Sequence, residues 1–277
     1  MSFFEKMIEI FHTRMTRPEP WGWFHLLFWG LTLASAALLC IFHNKQKPDR
    51  VRKVVLITAI TVILLEIYKQ ITFSFNPGAP FDYQWYAFPF QFCSTPMYVG
   101  LLAGLIKKGK VHDALCAYLA TYAMFAGAIT MIIPNDIYVD IVGINIQTSV
   151  CHGSMIAISI YLFYSGHVKL QHKTILKAMP VFACTMGIAM ILNEIVYHAG
   201  IQETCNLFFI SPHCEPSLLV YKDVQAAIPF PFCTIIYFLG FTLAAYLILL
   251  AAIGISKICG LFRKKTVAES ESVAAVK

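Results

Sequence analysis

Apolar residues fall in long blocks separated by short polar connections. Seven blocks stand out: Trp21 to Phe42, Val51 to Phe73, Ala87 to Ile106, His112 to Ile133, Thr148 to Tyr164, Ile175 to Tyr197 and Ile228 to Ile255. A helix rising about 1.5 Å per residue needs ~20 residues to cross ~30 Å of hydrocarbon, a length each block approaches or exceeds. None reads as an amphipathic strand. Backbone in hydrocarbon must satisfy its own hydrogen bonds, so the pattern predicts an all-α polytopic membrane protein, a seven-transmembrane-helix bundle. The fifth block is the shortest. Three regions follow: an N-terminal interfacial segment over 1–20, the seven-helix transmembrane domain over 21–260 and a polar cytoplasmic tail over 261–277. In the first, Phe3, Phe4, Met7, Ile8, Ile10, Phe11 and Met15 suit a helix lying at the membrane surface.

Composition agrees with the block pattern. Hydrophobic residues make up 58% of the 277 and charged residues 13%, with a mean hydropathy of +0.67, outside the range of soluble domains. Charge then orients the bundle. Sixteen of the 21 Lys and Arg lie on one side: Lys45, Lys47, Arg50, Arg52 and Lys53; Lys107, Lys108 and Lys110; Lys169, Lys173 and Lys177; Lys257, Arg263, Lys264, Lys265 and Lys277. The tendency of positive loops to stay in the cytoplasm places the N-terminus outside and the C-terminus inside. Trp21, Trp23, Tyr83, Trp85 and Tyr86 then fall at the outer boundary, where amphipathic rings collect. The net charge of +6 reflects this topology and anionic headgroups, so membrane phospholipids are the expected partners and nucleic acid is not.

Nine cysteines divide by compartment. Seven lie in or beside the blocks, where a cysteine is usually a small apolar residue. Cys205 and Cys214 share the longest outer loop, His198 to Ala227, and a disulfide between them is expected. Neither C-x-x-C nor H-E-x-x-H occurs, so no metal and no cofactor is expected.

Polar residues within the blocks carry the functional signal, because ionisable groups in a membrane are costly. Glu66 lies about 20 Å from the inner end of the second block, with Lys69 and Gln70 on the same helical face. Gln91 and Cys93 enter from the outer end of the third block, His152 opens the fifth, and Asn193 and Glu194 close the sixth. Their common depth predicts a polar cavity opening outward, the alternative being ordinary interhelical hydrogen bonds. In such a cavity Cys93 and His152 make a nucleophile and its base, a pair suited to acyl transfer where lipid ester carbonyls lie. Gln91, Asn193 or a backbone N–H at a span start would stabilise the oxyanion, and Glu66 would orient His152 or pair with Lys69. The substrate-binding set is therefore Glu66, Lys69, Gln70, Gln91, Asn193 and Glu194. A lipid-binding protein or a transporter of lipids or small solutes would use the same cavity through its acidic groups.

The segments F-P-F-Q-F-C-S-T-P-M-Y (88–98), S-V-C-H-G-S (149–154), I-L-N-E-I-V-Y (191–197) and P-F-P-F (229–232) resemble the YwaF-like family of integral membrane proteins. That family is similar to vertebrate coenzyme-A-independent phospholipid acyltransferases that work through a cysteine and a histidine. The resemblance implies those roles for Cys93 and His152, with Asn193 a further motif position. Bacterial relatives often carry P-L-H-L-C, whereas this chain has Gln91 in place of the histidine, and glutamine cannot act as a general base. The expected location is the plasma membrane of a bacterium.

Overall fold

The structure, a computed structural model, describes residues 2–44, 49–134, 137–201, 205–215 and 218–274. Lys45, Lys47 and Lys277 lie outside these. Backbone alone is described for Leu219 and for 259–274, which include Cys259, Arg263, Lys264 and Lys265. Among the described residues every regular element is helical apart from one isolated bridge, Arg14 to Ile141. The helices are α1 (Phe3–Phe11), α2 (Trp23–Ile41), α3 (Asp49–Ser74), α4 (Thr95–Leu105), α5 (Lys110–Ile132), α6 (Val142–Tyr164), α7 (Lys173–His198), α8 (Leu219–Ala227) and α9 (Phe232–Ala274). Six of them, α2, α3, α5, α6, α7 and α9, are long and apolar enough to cross a membrane.

The third apolar block differs from expectation. The apolar pattern predicts helix from Ala87, yet within the block only Thr95–Leu105 is α-helical. Prolines explain the break. Pro89 drives Phe88 out of the helical region, to ψ 134°, and removes a donor, while Pro96 sits in the first turn of α4, where no donor is needed. Eleven residues span only ~16 Å, but the chain ahead of α4 continues the path. Arg52 donates to the Gly104 carbonyl at 2.7 Å, and Gln70 donates to the Ala87 carbonyl at 2.8 Å. Those two α3 residues stand about 27 Å apart at the helical rise, so 87–104 runs antiparallel to α3 over a depth close to the hydrocarbon thickness. Gly104 permits the close contact, since a Cβ there would meet the Leu56 Cβ at 2.5 Å.

The fifth block also starts earlier than hydropathy suggested, at Val142 rather than Thr148. Asn145 and Gln147 concealed the first turns. Both are buried and bonded. Asn145 accepts from the Val139 amide at 2.9 Å and donates to its carbonyl at 2.8 Å. Gln147 reaches Glu66.

About two thirds of α5 and α6 is buried, against less than a third of the other long helices. These two form the axis, and the rest present their outer faces to lipid. Ser159 donates across the pair to the Leu119 carbonyl at 2.6 Å. On the other side of α5, Tyr122 stacks on Phe182 of α7 with ring centroids 4.5 Å apart. Outside the bundle, α1 is closed by a reciprocal cap between Ser2 and Glu5. Its Phe11 rests edge-on against Tyr68, whose hydroxyl donates to the Phe11 carbonyl at 2.9 Å.

At the α5–α6 crossing, a Cβ on Gly127 would lie 2.6 Å from the His152 carbonyl oxygen and 2.9 Å from the Met155 Cβ. Gly127→Ala gains up to ~1 kcal/mol of helix propensity but forces two backbones apart, a strain of about 1–3 kcal/mol. The expected outcome is a lower unfolding midpoint in detergent, followed by intrinsic fluorescence.

Candidate functional site

Glu66 is the hub of the membrane-level polar groups. Its carboxylate is buried and takes three contacts: Lys69 Nζ at 2.7 Å, Gln70 Nε2 at 2.8 Å and Gln147 Nε2 at 3.2 Å from α6. Lys69 and Gln70 reach it because i+3 and i+4 share a helical face. Gln147 completes the shell across the interface. Of the two roles expected for Glu66, pairing with Lys69 is the one the geometry supplies.

His152 lies five residues further along α6. Its Nδ1 stands 2.7 Å from the Thr148 carbonyl. A carbonyl oxygen only accepts, so Nδ1 carries the proton and Nε2 keeps its lone pair. Nε2 makes no hydrogen bond among the described residues. Cys93 immediately precedes Ser94, the residue that opens α4, where the first-turn N–H groups carry partial positive charge. It packs half-buried against the core. The charges of Lys69 and Glu66 act on the Cys93 thiol, and Lys69 also acts on the His152 ring. Lys69 is thus within electrostatic reach of both groups, while its ion pair is with Glu66. No hydrogen bond links Cys93 to His152 among the described residues.

One residue that the sequence pattern did not single out belongs nearby. Cys151 is within electrostatic reach of Cys93 and lines a small internal gap with Pro96 and Met97. Adjacency to His152 was the available signal, but a buried cysteine in a span is usually just an apolar residue.

Gln91 and Asn193 do something other than face open space. Gln91 accepts from the Phe208 amide at 2.8 Å and donates to the Asn206 carbonyl at 3.0 Å. Asn193 accepts from the Leu207 amide at 2.8 Å and donates to the Leu207 carbonyl at 3.0 Å. Together they clamp a short turn, Leu207–Phe209, in which Phe208 and Phe209 both take φ of 58°. Left-handed backbone costs roughly 1–2 kcal/mol at a residue with a side chain. The four bonds and the full burial of Phe208 against Phe92 and Phe182 offset that cost. The turn thereby packs against Phe92, the residue that precedes Cys93.

Glu194 turns to other partners. His213 Nε2 lies 3.1 Å from its carboxylate and His198 Nε2 3.3 Å, with no contact to the Glu66 group among the described residues. Cys205 and Cys214 approach one another, Cys214 Sγ lying 3.6 Å from the Cys205 carbonyl, and no sulfur–sulfur bond joins them. Burial, and then the neighbouring Cys214, push the Cys205 thiol above its usual range.

Beside the hub, Glu66 and Gln70 line a largely apolar cavity of about 400 Å³ together with Phe81, Tyr83, Pro89 and Tyr98. Its wall is therefore shared by α3, the irregular chain before α4 and the first turn of α4 itself. Apolar helices packed around a buried, fully bonded carboxylate define an integral membrane protein. The chain belongs to the TMEM164 family, whose pattern matches residues 18–255. That match gives no support to a bacterial source. No curated protein and no solved structure matches the chain.

Two outcomes test this geometry. Lys69→Met strands the Glu66 charge and is expected to cost about 3–5 kcal/mol, most of it recovered in the Glu66→Gln/Lys69→Met double variant, as read from unfolding midpoints in detergent. Asn193→Leu orphans both polar groups of Leu207, at about 1–3 kcal/mol each. Limited proteolysis is expected to cut within 205–215 faster than in wild type.

Proposed function

We propose that this protein is a membrane-embedded acyltransferase that moves phospholipid acyl chains through Cys93 and His152. The proposal joins the motif resemblance to YwaF-like proteins with one structural observation. Thr148 fixes the His152 tautomer that leaves Nε2 able to accept a proton. A thiol in apolar surroundings becomes a nucleophile only as a base takes its proton.

In this scheme Cys93 Sγ attacks an ester carbonyl of a phospholipid while its proton passes to His152 Nε2. The tetrahedral intermediate collapses, the lysophospholipid oxygen leaves with the imidazolium proton, and the acyl group remains as a thioester. A second lysophospholipid hydroxyl, deprotonated by Nε2, attacks that thioester. The acyl chain is transferred, and the proton returns to the departing thiolate. First-turn amides of α4 are the nearest candidates for the oxyanion. Gln91 and Asn193 would act indirectly, by holding the 206–208 turn. The adjoining apolar cavity suits an acyl chain.

The topology that fits is seven passes, with the N-terminus outside and the C-terminus inside, α4 and residues 87–94 together making the third pass. Broken helices are tolerated at membrane depth where they line a protein cavity. A second reading, lipid binding or transport without turnover, draws on the buried Glu66–Lys69 pair at the cavity wall.

Lipid analysis of cells making wild type, Cys93→Ala and His152→Ala at matched expression separates the two. Loss of the same acyl-exchange product in both variants is expected, with His152→Ala at least ~100-fold slower, as for a general base. Lipid profiles unchanged in both, with a phenotype that tracks Glu66→Gln, would discard acyl transfer in favour of binding or transport.

A further inference from the structure

A second cluster of chemically capable side chains lies far from Cys93 and His152. Fifteen residues of α5, about 22 Å at the helical rise, separate His112 from Gly127, the residue that meets the His152 carbonyl. His112 and Cys116 stand at i and i+4 on one face of α5, both buried. Gly166, with φ of 73°, ends the run after α6 and turns the chain back. There the Val168 amide donates to the Leu162 carbonyl at 3.0 Å, and the His167 ring is carried against α5. His112 Nε2 and His167 Nε2 are 2.7 Å apart, and Cys116 Sγ is 3.5 Å from His112 Nε2. All three donor atoms lie within 4.8 Å of one another.

A hydrogen bond between two neutral imidazoles accounts for the shortest of these distances only. The Cys116 thiol crowds the same His112 nitrogen, which has a single lone pair or a single proton to offer its two neighbours. Two imidazole nitrogens and a thiolate converging from separate elements are instead the donor set of a borderline-soft cation. We infer that His112, Cys116 and His167 bind a zinc(II) ion, with water in the fourth position, tying α5 to the α6–α7 turn.

Binding displaces the Cys116 proton to solvent, and His112 moves its ring proton from Nε2 to Nδ1 where it had been the donor. One proton is released per ion, and the site carries a net single positive charge. The Asp113 carboxylate, whose charge acts on Cys116, supplies a counter-charge. A cavity of about 190 Å³ lined by Asp113, His167, Gln171 and Lys177 leads to the cluster from the loop side and offers an entry path. The sequence pattern gave no metal because the ligands follow H-x-x-x-C on one helix plus a histidine from a distant turn. A third ligand from another element cannot be seen along the chain.

The test uses the full-length protein in detergent, stripped with a chelator and titrated with cobalt(II), then zinc(II). Expected are one cobalt per chain with a thiolate-to-cobalt charge-transfer band, bleaching of that band by zinc, and release of one proton per zinc. Cys116→Ser removes the band. His167→Ala, at an exposed position, weakens zinc binding at least about tenfold even if the cysteine variant fails to fold. The exposed Glu194, His198 and His213 group has no thiolate, so His198→Ala/His213→Ala leaves the band unchanged. Absence of the band in wild type, or its persistence in Cys116→Ser, would overturn the assignment.

Discussion

The cost of placing Glu66 inside an apolar bundle organises much of this protein. An isolated carboxylate there would be prohibitive, and three donors on two helices answer it. That requirement fixes the rotation of α3, because Lys69 and Gln70 must share the face of Glu66. It fixes the register of α6, because among the described residues Gln147 alone reaches across. Gln70 then extends the order outward by holding the Ala87 carbonyl, which sets the height at which the irregular chain before α4 begins. Cys93 and His152 inherit their positions from elements already tied to this pair.

A second constraint comes from small residues. Where α5 crosses α6 and where α4 meets α3, backbones approach closely enough that a methyl group would collide with its neighbour. Helices in lipid gain little from hiding apolar surface and much from close packing and shared hydrogen bonds. Gly127 and Gly104 therefore contribute through what they leave out. Their contacts set the His152 turn of α6 against α5, and α4 against α3.

The sequence made the class legible because long apolar blocks admit few solutions in hydrocarbon, and six of the seven became helices of spanning length. It misjudged boundaries wherever polarity and burial parted company. Asn145 and Gln147 look like loop residues in a hydropathy profile and are interior ones in the fold. Pro89 and Pro96 are plain in the sequence, yet the apolar residues around them hide how far they shorten the helix. At the site, Glu66, Lys69 and Gln70 could be grouped from helical spacing alone. Gln91 and Asn193 read along the chain as cavity-facing groups, because their partners are backbone groups of a turn more than a hundred residues from one of them. The His112–Cys116–His167 convergence was hidden for the same reason.

The turn held by Gln91 and Asn193 bears on what can settle near the site. Its Phe208 packs edge-on against Phe92, the residue just before Cys93. The apolar hollow beside Glu66 is bounded by α3, the proline-bearing chain and the first turn of α4. So apolar a wall selects a guest by its chemistry: a strongly hydrated solute gains nothing there to offset leaving water, whereas a hydrocarbon chain does.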